Sequence, residues 1–589
     1  MNTIPKWRYN FLTITFGIMA IIIVGQTIRL QIIPQAAFIK DESKDYTGAW
    51  VKVIPPRGQI YDRNGHLIAG NRTVYEVGLD YHGINNPRAI AIALNGVLGL
   101  DFGDVFEKAS IPLTPDNQYR MLLPAVSADK VGILKEYISL QEEAQEEGQT
   151  DLPNLDGIVF RPFLERSYPE LDLAANLLGF VSSEGEGYFG VEQYYQNILA
   201  GNVKNLWLPN NPNLVTELPE VPPGSNLVLT IDREIQSMLE KTLQEAVEEY
   251  YAKAGTAIIM DPKTGEILAL ASTPTLNLNE YWRYPEVYPD QTTPFNRAIS
   301  KSFEPGSVFK VLTMAAGLDS EAVKPETVFL DEGYFKIGGI TIRNWDSAAW
   351  GQQDMTGCMQ HSLNVCLAWI GEEMGADTFY EYMNAFGFGH FTGIDLAGEA
   401  TGRLKAPGDE DWYPADLGTN TFGQGISVTP IQLMMAVSAV ANDGKMVVPH
   451  ALHSFSDDSS QYFTHTQIAG QPISKKTARI LTSMLNTSLE KEASSALVEG
   501  YSLAGKTGTA EIPTPEGYTR SITNASFIGW GPVDDAKFLT YIWLEEPTAS
   551  IWGSQTAAPV FSEITRKLVV LMDIPPDSIR ATLGKEGGN

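Results

Sequence analysis

Three short motifs constrain this chain more than any other feature: Ser307-Val308-Phe309-Lys310, Ser362-Leu363-Asn364 and Lys506-Thr507-Gly508-Thr509. Their side chains amount to a chemistry only if one fold brings them together, when they supply a nucleophile, its base, a proton relay and an oxyanion site. Order and context select these copies over others. Lys263–Gly265 repeats Lys-Thr-Gly, but it follows Asp261-Pro262 between the apolar runs Ala257–Met260 and Ile267–Leu270, and reads as a hairpin turn. Ser127–Lys130 lies far upstream in an acidic region, and Ser488–Lys491 sits beside Leu489, Glu490 and Glu492 on what reads as a solvated helix face. The Ser307 copy instead follows Glu304-Pro305-Gly306, a helix-start signal, and leads into the apolar stretch Val308–Ala316. That context puts Ser307 in a first turn, at the positive end of a helix.

Residues three apart on a helix share a face, so Lys310 can reach the Ser307 hydroxyl. An ordinary lysine is protonated at neutral pH and takes no proton. Burial and a second nearby cation both lower its pKa, and Lys506 is the candidate second cation. Gly508 leaves room for a substrate backbone against the strand, and the Thr509 N–H can pair with that of Ser307 as an oxyanion hole.

These residues resemble the penicilloyl-serine transferase family: Glu-Pro-Gly-Ser-x-x-Lys, Ser-x-Asn and Lys-Thr-Gly-Thr occur in the family's order. Phe422-Gly423-Gln424-Gly425 with Val428-Thr429-Pro430, and Leu227–Asp232 with Gln236, resemble further transpeptidase segments. Upstream, Arg57-Gly58-Gln59-Ile60-Tyr61-Asp62-Arg63-Asn64-Gly65, Arg166-Ser167-Tyr168-Pro169 and Gly187–Glu192 look like the pedestal motifs of class B penicillin-binding proteins, which β-lactamases lack. Read from the residues alone, Asp62–Gly65 is a turn with Asn-Gly at its tip. Arg57, Arg63, Arg166, Asp62 and Glu192 are candidates for ion pairs tying irregular segments together, and Gly58 and Gly190 belong to the same structural motifs.

The N-terminus carries Lys6 and Arg8 and then the apolar run Phe11–Ile28, close to the ~20 residues that span a bilayer. No small-x-small cleavage site follows, so the run reads as an uncleaved signal anchor with a cytoplasmic N-terminus and the rest outside. Among 589 residues, 43% hydrophobic with 10% aromatic is globular, and the length calls for two large folded units. A net charge of −29 with no basic stripe argues against nucleic acid. Glu142–Glu147, with Asp151 beyond, reads as an exposed linker. Cys358 and Cys366 lie eight apart on an expected helix, ~12 Å along its axis. That exceeds the ~7 Å a disulfide bridges, so two buried thiols are expected. No metal-ligand spacing or Gly-rich phosphate loop appears, so neither metal nor cofactor is called for. His361 reads as a helix residue that packs or faces solvent.

Helices and loops alternate from Ser307 to about Asn442. Strand-like runs follow at Ser502–Ala510, Ala525–Gly531 and Lys537–Leu544, with the polar Glu511–Thr523 as a long connection between the first two. With the hairpin near residues 255–271 this makes about five antiparallel strands flanked by helices, the last being Ala557–Met572. The fold class is therefore α+β, with a mostly β or irregular pedestal. The expected divisions are a cytoplasmic segment 1–10, an anchor 11–30, a pedestal 45–225, a transpeptidase domain 226–575 and a tail 576–589.

The resemblance implies that Ser307 attacks the penultimate D-alanine of a peptidoglycan stem peptide and passes the acyl group to an amine on a neighbouring stem. In that scheme Lys310 is the base and Ser362 the relay to the leaving amine. Asn364 holds the substrate amide, and Lys506, Thr507 and Thr509 fix the carboxylate and strand. Penicillins and other β-lactams are the expected inhibitors. Ser-x-Asn rather than Ser-x-Asp, with Phe386–Gly402, resembles the division-specific branch and implies septal work, with elongation as the alternative. It also implies a SEDS-type glycan polymerase and other division-complex membrane proteins as partners. A catalytically silent scaffold, a β-lactam sensor and a β-lactamase are the readings from other classes.

Overall fold

The computed structural model describes residues 6–32, 48–114, 117–146, 154–209, 221–289, 294–457, 459–514 and 517–586. They fall into two compact units, one of residues 1–56 with 201–224 and one of residues 57–200 with 225–589. In the first, helix α1 (Lys6–Ile32) carries an Asn10–Arg29 stretch of mean hydropathy 2.1, none of it buried in the chain. It is the one helix among the described residues long and apolar enough to cross a membrane, as a single-pass topology requires. Two of its threonines need no water: the Thr15 and Thr27 hydroxyls donate to the Phe11 and Ile23 carbonyls at 2.8 Å. The same unit contains an antiparallel ribbon of Gly48–Val53 with Lys204–Pro209.

The second unit begins with the pedestal. Strands β1 (Ile60–Tyr61) and β2 (Leu67–Asp80) pair antiparallel around the Asp62–Gly65 turn, with Gly65 at φ +85°. The Asp62 carboxylate is fully buried and accepts from the N–H groups of Asn64, His66 and Arg233 at 2.9, 2.7 and 3.2 Å. Arg233 opens a helix of the next domain, so this turn joins the two portions. Helices α2 (Pro87–Leu98) and α3 (Ala128–Glu146) cover β2, which is flanked by β3 (Tyr119–Ser127) and β4 (Ile158–Ser167). The pedestal is thus more helical than its sequence suggested. The acidic run corrects in part: Glu142–Glu146 continues α3 rather than forming a linker, while Glu147 and Asp151 lie outside the described residues.

The motif residues Arg57, Arg166 and Glu192 converge. Glu192 is fully buried, and its two carboxylate oxygens accept from Arg57 Nε at 2.8 Å and Arg166 Nε at 2.7 Å. Arg166 also donates to the Gly58 carbonyl at 2.7 Å. Gly190, at φ +46°, has a reason of its own, because a Cβ there would lie 2.0 Å from the Leu177 carbonyl oxygen. Arg63 pairs with Glu266 of the catalytic portion at 3.3 Å, in a partly exposed position.

Strand β5 (Asn226–Leu229) pairs with β1 on one side and with Leu452–Ser456 on the other, so the pedestal and transpeptidase portions share a sheet. Helix α4 (Arg233–Glu249) follows, pinned by the buried Gln236, which exchanges two 2.8 Å bonds with the Leu270 backbone. The central sheet uses β6 (Ala254–Met260) and β7 (Ile267–Ser272), with the Lys263 motif copy in the turn between them as expected. After it come α5 (Lys310–Asp319), α6 (Met355–Gln360), α7 (Asn364–Met374), α8 (Pro430–Ala441) and α9 (Lys475–Glu492). Strands β8 (Ala504–Thr514), β9 (Gly517–Gly531) and β10 (Phe538–Glu545) complete the antiparallel order β7-β6-β10-β9-β8, and α10 (Ala557–Leu571) closes the domain. Alternation sets two cores. Ala257, Ile259, Ile542 and Leu544 meet α4 and α10 on one face, while Ile258, Met260, Tyr541 and Trp543 belong to the core containing α5 and α8.

Four expectations change. The polar stretch Glu511–Thr523 is a continuation of the β8–β9 hairpin, pairing Glu511 with Thr523 and Thr514 with Gly517. These arms run past the end of β10, which stops pairing at Asn524–Glu545, so they are polar because no sheet or helix buries them. Short hairpins within residues 329–353 interrupt the expected helical stretch. Ser488 is 4% exposed and donates to the Met484 carbonyl at 2.8 Å, on the inner rather than the solvated face of α9. Finally, Cys358 and Cys366 form a disulfide with Cα atoms 6.0 Å apart. The helix assumed between them stops at Gln360, Ser362 turns the chain at φ +53°, and α7 starts afresh at Asn364. The pair therefore brackets the Ser-x-Asn motif.

Closing an eight-position loop by a disulfide is worth ~2.5 kcal/mol on loop entropy, so replacing Cys358 and Cys366 together by alanine will lower the thermal midpoint by calorimetry, and reductant will do the same to the native protein alone. Glu192→Ala strands two buried guanidinium groups and will cost about 3–5 kcal/mol in denaturant unfolding.

Candidate active site

Ser307 lies in a 3₁₀ turn, Gly306–Phe309, that runs directly into α5. It is the partly exposed residue of this turn, between buried Gly306 and Val308. Two neighbours fix the turn. The Gly306 N–H donates to the Gly423 carbonyl at 3.1 Å, and a Cβ on Gly306 would meet that of Ala510 at 2.7 Å. The glycine thus lets the turn lie directly on strand β8. Gly508 serves the same approach, since a Cβ there would meet Ser526 Oγ at 2.2 Å and Val308 at 2.9 Å. Its observed contacts are with the protein's own turn and neighbouring strand, a reason that sequence reading placed instead on substrate access.

Lys310 is 0% exposed. Its Nζ lies 2.6 Å from the Ser362 carbonyl oxygen, 3.1 Å from Ser362 Oγ and 2.7 Å from Asn364 Oδ1. The left-handed backbone at Ser362 is what aims both its carbonyl and its hydroxyl at one amine, and a non-glycine residue held there costs about 1–3 kcal/mol. Asn364 opens α7 and donates from Nδ2 to the Arg343 carbonyl at 3.2 Å. Desolvation, with the Lys506 ammonium as a second cause, holds the Lys310 amine well below the ordinary lysine value.

Lys506 is 5% exposed on β8, with Nζ 3.2 Å from the Thr507 carbonyl. Thr507 and Thr509 are partly exposed, and Thr509 Oγ1 accepts from the Gly553 N–H at 3.1 Å. β8 is an edge of its sheet, bonded to β9 on one side. A second chain can therefore add along the other side. The fold thus brings the Ser307 turn, the Lys310, Ser362 and Asn364 cluster and the Lys506–Thr509 stretch of β8 next to one another, while Arg57, Gly58, Asp62, Arg63, Arg166, Gly190 and Glu192 sit in the pedestal.

Several residues beside the first group had no motif to mark them. Trp345 Nε1 donates to the His361 carbonyl at 3.2 Å, and its ring meets that of Trp552 edge to face with centroids 5.3 Å apart. The two tryptophans therefore link the Ser362 segment with the loop carrying Gly553. Glu304 accepts from the Gly425 N–H at 3.1 Å and from the Tyr518 hydroxyl at 2.9 Å. Burial pushes both the Glu304 carboxyl and the Tyr518 hydroxyl above their ordinary values. Phe422–Gly425 thereby helps hold the Ser307 turn. His361 stacks on Trp350 with centroids 4.0 Å apart, a packing role in keeping with its sequence reading. Among the described residues, no cluster of His, Cys, Asp and Glu is suited to a metal ion.

Comparison with known proteins places this geometry. The penicillin binding protein transpeptidase domain model matches residues 255–566, and the penicillin-binding protein dimerisation domain model matches residues 52–205. The chain is 30% identical over 588 residues to Stage V sporulation protein D of Bacillus subtilis, covering 98% of this chain and 87% of that protein. It is 27% identical over 586 residues to the probable peptidoglycan D,D-transpeptidase PbpC of Pseudomonas aeruginosa, covering 98% and 97%. The crystal structure of a peptidoglycan synthetase from Bifidobacterium adolescentis superposes with a TM-score of 0.69 at 26% identity, covering 90% of this chain and 98% of that one. Penicillin Binding Protein 2X from Streptococcus thermophilus shares the fold, with a TM-score of 0.73 at 22% identity over 89% and 80% of the two chains. With a transpeptidase model matching more than half its length and a relative aligned over nearly all of it, this chain belongs to the penicillin-binding proteins, as a class B member with a dimerisation-type pedestal ahead of a serine D,D-transpeptidase domain.

Proposed function

We propose that Ser307 carries the acyl group in the cross-linking of peptidoglycan stem peptides. The observation that carries this reading is the buried Lys310 amine, held 3.1 Å from Ser362 Oγ and three positions after Ser307, at the start of the helix that the Ser307 turn runs into. A neutral amine there donates two N–H bonds, to the Ser362 carbonyl and Asn364 Oδ1, and keeps its lone pair for a hydroxyl proton. Ser307 Oγ attacks the penultimate D-alanine carbonyl carbon as its proton passes to Lys310. The C–N bond to the terminal D-alanine breaks, and Ser362 delivers the proton to the departing amine. An amine of a second stem then attacks the ester and loses a proton to Lys310 through Ser362; as the ester C–O bond breaks, Lys310 returns that proton to Ser307 Oγ and both groups regain their starting state. The N–H groups of Ser307 and Thr509 hold the oxyanion, each worth about 3 kcal/mol in such sites. Asn364 orients Lys310 and keeps one amide N–H for the stem. Lys506, Thr507 and Thr509 bind the terminal carboxylate of a stem lying along β8. A penicillin fits as a mimic of the same acyl donor.

The septal assignment rests on Ser362-Leu363-Asn364 and Phe386–Gly402. Cross-linking needs glycan strands, and the two family models that account for most of this chain are a dimerisation and a transpeptidase domain, so a SEDS-type polymerase supplies the strands as a membrane partner within a division complex. The Bacillus relative named for stage V of sporulation favours one second reading, the same chemistry reserved for spore formation. Depleting the protein separates them: filaments support septal work, rounded cells overturn it in favour of elongation, and normal growth with failed spores moves the chemistry to sporulation.

Intact mass spectrometry of the protein with a penicillin will show a lasting one-drug adduct that is absent from Ser307→Ala. Rapid loss of the adduct would mean a β-lactamase, and no adduct on the native protein would leave a scaffold. The acylation rate will rise with pH through the lowered Lys310 pKa and then level, because only the neutral amine accepts a proton. Lys506→Ala removes the second cause of that lowering, so the acidic limb of the profile will move to higher pH.

A further inference from the structure

Helices α2 and α3 of the pedestal leave between them a cavity of about 580 Å³ lined by Ala93, Gly96, Val97, Tyr137, Leu140 and Gln141. Large apolar residues on a soluble surface are ordinarily scattered singly. Here Ile133, Tyr137 and Leu140 are 45, 51 and 54% exposed along one face of α3, and Ile92 is 57% exposed on α2. The helix is meanwhile well seated on its other side, with Val131 and Leu134 fully buried and Gln141 accepting from the Leu155 N–H at 3.0 Å. The exposed stripe is therefore surplus to the pedestal's own core. Gly96 leaves the facing wall low, since a Cβ there would touch nothing within 4 Å.

The spacing identifies what fits. Ile133, Tyr137, Leu140 and Ala144 recur at intervals of four, three and four, the a/d seam of a helix that packs against another helix. Asp129, Glu136 and Glu143, all exposed, recur every seventh residue along one flank of that seam, at its g positions. The e positions, Leu134 and Gln141, are buried in the pedestal. A second copy of α3 is a poor occupant, because it has no basic e residues to offer and an antiparallel arrangement sets acidic flank against acidic flank.

We propose that this groove receives an amphipathic helix of a partner protein, apolar at its a and d positions and carrying Lys or Arg at the e positions that face Asp129, Glu136 and Glu143. The site is separate from the catalytic cleft and stands whether or not the transpeptidase roles above hold.

The test uses the full chain in detergent and a fluorescein-labelled peptide of three heptads, with Leu at a and d and Lys at e and g, read by fluorescence anisotropy. Its controls are the same helix with Glu at e and g, and a scrambled peptide of the Lys composition. The expected result is saturable binding of the Lys helix, about tenfold or more tighter than either control. The variant Asp129→Lys with Glu136→Lys and Glu143→Lys should reverse the preference toward the Glu helix, and Leu140→Asp should weaken both helices. All these positions are exposed, so circular dichroism melting and penicillin acylation should match the native protein and establish that each variant is folded. Equal binding of the scrambled peptide, or a reversed variant that keeps its preference for the Lys helix, overturns the proposal. So does a dimer of the native chain that Leu140→Asp dissolves, because the occupant is then a second copy.

Discussion

The catalytic half of this molecule depends on one buried amine. Lys310 has surrendered all its water and received in return the Ser362 carbonyl, Ser362 Oγ and Asn364 Oδ1. An ammonium so placed is costly and a neutral amine is comfortable, and the Lys506 charge pushes the same way. Much of the surrounding architecture serves to hold that amine. The 3₁₀ turn sets Ser307 at the mouth of α5, the left-handed backbone of Ser362 turns two acceptors onto one nitrogen, and the Cys358–Cys366 bond fastens the two short helices on either side of that strained residue.

The second requirement is an open strand edge that stays in place without a neighbour. β8 achieves this by pairing with β9, which pairs in turn with β10, in a sheet buried on both faces. The hairpin arms beyond Asn524 lose that support and read as polar. Tyr518 on one arm bonds to Glu304 just ahead of the Ser307 turn. The edge strand and the Ser307 turn are thus tied together at Gly508, Gly306 and Glu304, which limits relative drift of the two.

The pedestal is bonded to the catalytic portion through polar side chains and a shared backbone ladder. Asp62 receives the first N–H of α4, Asn64 Nδ2 donates to Asp232, and β1 and β5 share a ladder. Glu192 with Arg57 and Arg166 then fixes irregular segments that carry too little apolar surface to fix themselves.

The sequence by itself determined the motif residues that the fold brings near one another, the membrane-length helix and the five-stranded sheet. Each rests on local chemistry or periodicity: Ser307 and Lys310 share a helical face, the Lys263 turn has its own turn residues, and Phe11–Ile28 is uniformly apolar. It could not determine where a helix breaks. Cys358 and Cys366 lie too far apart on a continuous helix and bond only because Ser362 turns the chain, a conformation whose cost is met by the contact with Lys310, which lies far from it in sequence. Ser488 looked solvated because its neighbours are charged, and its burial was decided by which side of α9 meets the core. Trp345, Trp552 and the Glu304–Tyr518 bond join residues distant in sequence, and no spacing rule announces them. Motifs fix chemistry because it needs particular atoms at short range. Contacts between distant segments are set by packing, which many sequences satisfy and only the folded chain selects.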